Sequence, residues 1–394
     1  MSNLDKFADE VFEEAVALRR EIHKFPEMAF EEVRTAELIC KTLDKWGISY
    51  TKNVAKTGIV GLIKGKPKDK TLLLRADMDA LPMKEETGLE FASANENIAH
   101  MCGHDSHVAT LLAAAYILNK MKESFSGNVK LVFQPAEEGV GGALPMIEEG
   151  VMENPKVDAA VALHVSNEIN ASQIRITKGA VMAAPDEFDI IIKGRGGHGG
   201  HPDLNIDPIV IAAQFITCLQ TIASRNIPPY QPVALSVTSI NAGTNYNVIP
   251  DNVHIRGTAR SVDHEIREKL PILIENMLKC ITLAHGADYD FNFRYMYPPT
   301  INDDTMNKIV ETAAEKIIGS ENIIHNNYPS MGGEDFAYFA KLVPSAYFNL
   351  GIKNEEMGII YPIHNSKFTI DETAIKTGSK IYAQIALDYL MCTE

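Results

Sequence analysis

The stretch TLLLRADMD, residues 71–79, reads as a short apolar strand running into two acids, Asp77 and Asp79. The same figure recurs along the chain. NVKLVFQPAEE, residues 128–138, ends in Glu137 and Glu138, and AAVALH, residues 159–164, ends in His164. A further apolar run lies at 59–63, and helical patterns occupy the gaps, notably 107–121 and 143–149. Strands alternating with helices predict an α/β layer built on a largely parallel sheet. Sheets of that kind present their sites beyond the carboxyl ends of the strands, where these acids and this histidine fall.

Working outward, residues 4–24 and 30–46 carry helical periodicity, with Ala36, Ile39, Cys40 and Leu43 on one face. From about residue 184 the rhythm changes. A strand at 188–192 passes through GRGGHGGHP, residues 194–202, into a helix expected to bury Ile209, Ala212, Ala213, Ile216 and Leu219. Strands at 233–240 and 253–259, a helix at 264–284 and a strand at 289–294 complete a βαββαβ order, that of a ferredoxin-like sandwich. Helices at 304–318 and 372–390 then return the chain to α/β character. The expected architecture is one α/β domain, residues 1–183 and 297–394, with a central mostly parallel mixed sheet flanked by helices. A ferredoxin-like domain, residues 184–296, interrupts it.

Hydrophobic residues at 45% and charged residues at 23% are ordinary globular proportions. A net charge of −15 argues against a nucleic-acid surface, which needs clustered Lys and Arg. The first 25 residues are amphipathic and acidic, unlike a signal peptide, and no apolar run approaches the roughly 20 residues of a membrane span. Cys40, Cys102, Cys218, Cys280 and Cys392 are odd in number and scattered, which predicts no disulfide framework and a reducing, cytoplasmic setting.

The chemistry gathers around HMCGHDSH, residues 100–107, which sets Cys102, His104, Asp105 and His107 just before a helix. IYPIHN, residues 360–365, offers His364 far downstream. Singly, each feature has an ordinary explanation: a buried thiol, a solvated Glu-Glu helix start, an Asp-capped turn, a core histidine. Together, Cys-X-His in a glycine turn plus acids and histidines at separate strand ends form a donor inventory for two adjacent divalent cations. Thiolate, imidazole and carboxylate suit Zn²⁺, Co²⁺, Ni²⁺ or Mn²⁺ better than Mg²⁺ or Ca²⁺. Two residues apart on a turn is poor geometry for a Cys102 nucleophile with a His104 base, and that alternative leaves Glu137 and Glu138 without a task. A non-catalytic binding protein is the third reading.

RADMDALP, HMCGHDSH, QPAEE, ALHV, GRGGHGGHP, NVIPD, GGEDFAYF and IHN follow one another in the order seen in one family. From about Leu18 to the C-terminus the chain resembles the dinuclear aminoacylase/carboxypeptidase metallopeptidases. The resemblance is to the amidohydrolase branch, with hippurate hydrolases, auxin–amino acid conjugate hydrolases and N-acyl-amino acid amidohydrolases. It implies that Cys102, His104, Glu138, His164 and His364 hold two metal ions, that Glu137 is the general base and that Asp79 orients a ligand. Asp77 stands where the wider family has His, so no metal role passes to it, and His100 and His107 stay unassigned. The resemblance further implies that His198 contacts the tetrahedral intermediate, often in the partner subunit's site. Asn247 and Arg260 are expected to hold the substrate's α-carboxylate. MGGEDF is expected to open a helix near the site, with Glu334 and Asp335 either supporting the site from behind or serving as helix N-terminal acids, the latter preferred for Asp335. The 184–296 domain becomes a lid and homodimer interface, hinged near Ala184 and Tyr295. The expected reaction is hydrolysis of N-acetyl- or N-benzoyl-type N-acyl-L-amino acids. N-acetyl-diaminopimelate deacetylation and dipeptidase or carboxypeptidase action are the alternatives within the same chemistry.

Overall fold

Leu72, Leu73 and Leu74 are all fully buried, which requires a strand covered on both faces. In the computed structural model, which describes residues 2–139 and 141–391, they lie in the strand Lys66–Asp77 of an eight-stranded sheet. Across the sheet the order is Ser49–Val54, Gly58–Lys64, Ser126–Gln134, Lys66–Asp77, Ala159–Asn170, Ser345–Lys353, Ile174–Thr177 and Ile323–Asn326. The strands from Ser126–Gln134 through Ser345–Lys353 are mutually parallel, while the first two join antiparallel. The expected mostly parallel sheet is therefore present, and it is wider than the sequence suggested. Ser345–Lys353 has almost every residue buried and so lacks the alternation that marks a half-exposed strand.

The helices Asn3–Lys24, His104–Lys120 and Thr373–Met391 pack on one another, and their apolar residues join the sheet in one core. The first is started by Ser2, whose hydroxyl accepts from the Asp5 N–H while the Asp5 carboxylate accepts from the Ser2 N–H. His104–Lys120 is buried on nearly all sides, as its apolar run LLAAA at 111–115 requires.

The chain divides into two compact units, one of residues 1–179, 301–328 and 338–394, the other of 180–300 and 329–337. The second unit holds a four-stranded antiparallel sheet ordered Val233–Asn241, Asn252–Ser261, Ala184–Lys193, Asp288–Arg294. Burial alternates along its two central strands, and the buried face packs on the helices Pro208–Thr221 and His264–Ala284. In Pro208–Thr221 the buried side chains are Ile211, Ala212, Phe215 and Leu219, whereas Ile209 and Ala213 are exposed and Ile216 is half-buried. The expected face is thus rotated, because the helix is apolar on two sides and periodicity alone does not choose between them.

Cys40 and Cys218 are half-buried, Cys102 is buried and Cys280 is exposed, all four as free thiols; Cys392 lies outside the described residues. No described helix is long and apolar enough to cross a membrane.

Candidate metal centre

Each donor is delivered by a strand end or a tight turn in the first unit. After the strand Ser126–Gln134 the chain turns through Ala136 at φ +56°, a left-handed conformation costly for a residue with a Cβ, and presents Glu137 and Glu138. Glu32 pins that turn: its carboxylate accepts from the Ala136 N–H at 2.9 Å and from the Thr57 hydroxyl at 2.5 Å. Sequence reading missed Glu32, which sits just ahead of the helix Val33–Trp46 and looks like a surface acid. Gly103, at φ +90°, precedes the helix His104–Lys120, and a Cβ there would lie 2.5 Å from Val165 Cγ2. Only glycine satisfies both conditions. His164 lies within the strand Ala159–Asn170, which continues six residues beyond the expected end. His364, also at positive φ, is tied by its N–H to the Met101 carbonyl at 2.7 Å.

Cys102 Sγ lies 3.3 Å from His164 Nε2 and 3.3 Å from His364 Nε2. Glu138 Oε1 is 3.3 Å from His364 Nε2 and 4.0 Å from His104 Nε2. The far ring nitrogens fix which side faces inward. His164 Nδ1–H donates to the Val165 carbonyl at 2.8 Å, and His104 Nδ1–H donates to Asp79 Oδ1 at 3.2 Å, so both Nε2 lone pairs point into the cluster. His104 Nε2 and Glu138 Oε1 are buried and make no well-formed hydrogen bond among the described residues, Glu138 Oε1 having only the ion-pair contacts with His364 and His104. An imidazole lone pair and a carboxylate oxygen stranded together are costly unless a cation completes them. The donor atoms of Cys102, His104 and His164 lie within 4.8 Å of one another, as do those of Cys102, Glu138 and His364. Cys102 therefore belongs to both triads, and the donor set fits two dications.

Burial opposes charge on His104, but Asp77 and Cys102 raise its imidazole well above the ordinary value, so a cation binding at its Nε2 has a proton to displace. Burial, with His107 nearby, pushes the His164 imidazole down to about 3, so it is neutral and free to donate its lone pair. Burial also pushes the Cys102 thiol well up against the pull of His104; a coordinated dication deprotonates such a thiol outright. For Glu138, burial works against ionisation, but His364 and His104 hold the carboxyl below its ordinary range.

Asp79 ties the motifs together. Besides His104 it accepts the Glu137 N–H at 3.0 Å and the Glu138 N–H at 2.9 Å, so one buried carboxylate orients the His104 ring and the whole Glu-Glu turn. Asp77 is also buried, but its two oxygens are taken by Arg75 Nη1 at 2.6 Å and His107 Nδ1 at 2.5 Å. Asp77, His104 and His107 are also close enough for a metal, yet Asp77 and His107 already bond each other there. A second buried network, also missed, links Arg19 to Asp105 at 2.7 Å and His23 to Asp105 at 2.8 Å and to Glu85 at 3.2 Å. Its signal was visible: Arg19 and His23 fall on the buried face of the first helix at i, i+4 spacing.

His198, Asn247 and Arg260 lie in the second unit. His198 belongs to a two-residue strand, Gly197–His198, paired with Val248–Ile249, and both His198 and Asn247 are exposed. Arg260 donates to Thr258 Oγ1 at 3.1 Å and to the Met331 carbonyl at 3.0 Å. Glu334 and Asp335 are buried and precede the helix Ala337–Leu342.

The sequence profile described as peptidase family M20/M25/M40 matches residues 73–388. Thermostable carboxypeptidase 1 of Saccharolobus solfataricus is 42% identical over 378 residues, covering 95% of each chain. The N-acyl-L-amino acid amidohydrolase of Geobacillus stearothermophilus is 42% identical over 302 residues, 76% of this chain and 81% of that one. Among solved structures, a Bacillus subtilis protein described as a dinuclear metal-binding peptidase of the M20 family superposes with a TM-score of 0.86 at 32% identity, covering 97% of this chain and 99% of that one. The converging donors and these likenesses lead to one assignment: the chain belongs to peptidase family M20/M25/M40, as a metal-dependent amidohydrolase.

Proposed function

We propose that the protein hydrolyses the amide bond of N-acyl-L-amino acids, releasing a carboxylic acid and a free amino acid. The observation that carries this reading is the convergence of Cys102, His104, Glu138, His164 and His364 around a ring nitrogen and carboxylate oxygen that make no well-formed hydrogen bond, with Glu137 beside them. These five residues are assigned as ligands of two divalent cations, with Zn²⁺, Mn²⁺, Co²⁺ and Ni²⁺ matching the donor types. Two dications held there would supply Lewis acidity towards a water and an acyl carbonyl. Glu137, buried on the turn that Asp79 and Glu32 hold, is placed to take a proton from the attacking water and return it to the departing nitrogen. Asp79 keeps the proton of His104 on Nδ1 and so keeps Nε2 available for coordination.

From the second unit, His198 is assigned as donor to the oxyanion, and Asn247 and Arg260 as the groups that hold the free α-carboxylate. A guanidinium suits that task because it binds a carboxylate in two parallel hydrogen bonds. The same unit is assigned as the lid and homodimer interface. Ile209, Val210, Ile240 and Val248 of this unit are exposed and would be covered by such an interface. Carboxypeptidase or dipeptidase action is the second reading, favoured by the likeness to a thermostable carboxypeptidase.

Metal analysis of the purified protein, paired with a panel of N-acetyl-amino acids, N-benzoyl-amino acids and dipeptides, tests the proposal. It requires bound transition metal, loss of turnover on chelation with recovery on readdition, and preference for the N-acyl substrates. Chelator-resistant turnover removes the metal mechanism, and preference for dipeptides selects the second reading. Cys102→Ala lowers metal occupancy; unchanged stoichiometry excludes the thiol as a ligand. Light scattering that finds only monomer removes the dimer assignment.

A further inference from the structure

The strands Lys66–Asp77 and Ala159–Asn170 part company just where His164 is placed. Their register runs from Leu72 opposite Ala159 to Arg75 opposite Ala162 and stops there. The next N–H groups of Ala159–Asn170 on that side, those of Leu163 and Val165, therefore lose their strand partner while remaining buried. An unpaired buried N–H costs about 1–3 kcal/mol. Side chains take over. Tyr382 Oη accepts from the Leu163 N–H at 2.7 Å and donates to the Arg75 carbonyl at 2.8 Å, bridging the gap as a strand would. One step further, where the gap is wider, His107 Nε2 accepts from the Val165 N–H at 3.0 Å.

That bond fixes the His107 tautomer. An N–H only donates, so Nε2 carries the lone pair and the proton sits on Nδ1, facing Asp77 Oδ1 at 2.5 Å. Asp77 is in turn held by Arg75, and Arg75 Nε donates to Gln134 Oε1 at 2.9 Å. The other side of the same Val165 residue accepts the His164 Nδ1–H. A continuous line thus runs from Gln134 through Arg75, Asp77 and His107 to the Val165 backbone and on to the His164 ring.

We propose that His107 is a positioning residue of the metal centre: with Asp77 fixing its tautomer, it replaces the missing strand at Val165 and so holds His164 with Nε2 facing Cys102. The inference rests on the assignment of His164 as a metal ligand. His107 itself takes no metal, because both of its nitrogens are already engaged.

Asparagine and glutamine separate the two ends of this strut. In His107→Asn the amide reaches the position of Nδ1 and keeps the bond to Asp77 but not the one to Val165. In His107→Gln it reaches the position of Nε2 and can still accept the Val165 N–H. The probe is Co²⁺, with its dissociation constant measured by chelator competition and its thiolate charge-transfer band recorded on the loaded full-length protein. Asn is expected to weaken Co²⁺ binding about 10–100-fold and shift the band, and Gln to stay within about threefold of wild type, the range over which outer-shell partners tune metal sites. Equal weakening by the two variants, or none in either, overturns the proposal. Should the Asn variant not fold, the ¹⁵N shifts of His107 in the Zn²⁺-loaded wild type decide: the Nδ1–H tautomer supports the strut, and the Nε2–H tautomer overturns it. Wild-type protein that takes up no Co²⁺ overturns the metal assignment itself, an outcome distinct from equal behaviour of the two variants.

Discussion

Asp79→Asn changes no volume and one atom, yet it attacks three hydrogen bonds at once. The carboxylate accepts from His104 Nδ1–H, Glu137 N–H and Glu138 N–H, whereas an amide offers a single oxygen. If that oxygen stays with Glu138, the amide NH₂ faces the Glu137 N–H and His104. One buried N–H then meets a donor, at a cost of about 1–3 kcal/mol. His104 can relieve its own clash only by moving its proton to Nε2, which removes the lone pair now aimed at Glu138 and Cys102. Metal affinity should fall about 10–100-fold, as expected when the partner that sets a ligand's tautomer is lost. In free energy that is about 1.4–2.7 kcal/mol. Urea unfolding of the metal-free protein measures the first effect, and Zn²⁺ competition against a chelator measures the second. Wild-type affinity together with an unfolding free energy changed by less than about 0.5 kcal/mol, the size of an inert surface substitution, refutes the reasoning.

Glu137→Gln should keep its metal and lose about 10²–10⁴-fold in kcat, the contribution of a positioned acid–base group; an unchanged kcat at full metal loading removes Glu137 from the chemistry. Gly103→Ala adds a Cβ 2.5 Å from Val165 Cγ2 at φ +90°, so unfolding free energy should drop by about 2–5 kcal/mol, combining backbone strain with overpacking; a variant with the wild-type urea midpoint contradicts the geometry. For His23, burial opposes protonation, but Asp105 and Glu85 more than offset it and raise the imidazole above its ordinary value. Its contribution to stability is therefore complete below the unfolded value near 6.5 and is lost as pH rises through the higher folded value. Melting temperature should decline over that interval in the wild type and not in His23→Gln; parallel profiles dismiss the linkage.

That these side chains gather in one place was legible because their chemistry is visible one residue at a time. Asp79, Glu137, Glu138 and Cys102 follow strands or turns whose apolar runs mark them, and the chain folds those ends together. What escaped was anything whose meaning depends on a partner far away in sequence. Glu32 looks like a surface acid until Ala136, 104 positions later, turns its N–H towards it. Asp77 and His107 could not be placed until each was seen to bond the other. Ser345–Lys353 escaped for a different reason, since burial on both faces erases alternation. In Pro208–Thr221 the difficulty was an excess of signal, two apolar faces where only one meets the sheet.

The strand Ser345–Lys353 lies between Ala159–Asn170 and Ile174–Thr177, so a late piece of chain fills the interior of the large sheet. On the ribosome, the strands on either side of that gap emerge well before the piece that closes it. The inserted unit, whose four strands all fall within residues 184–294, has its complete sheet available first. Synthesis in the N-to-C direction thus favours a nascent chain in which the small sheet is complete while the large one is not. Its exposed strand edges are then at their most vulnerable to wrong pairing just before residues 345–353 arrive.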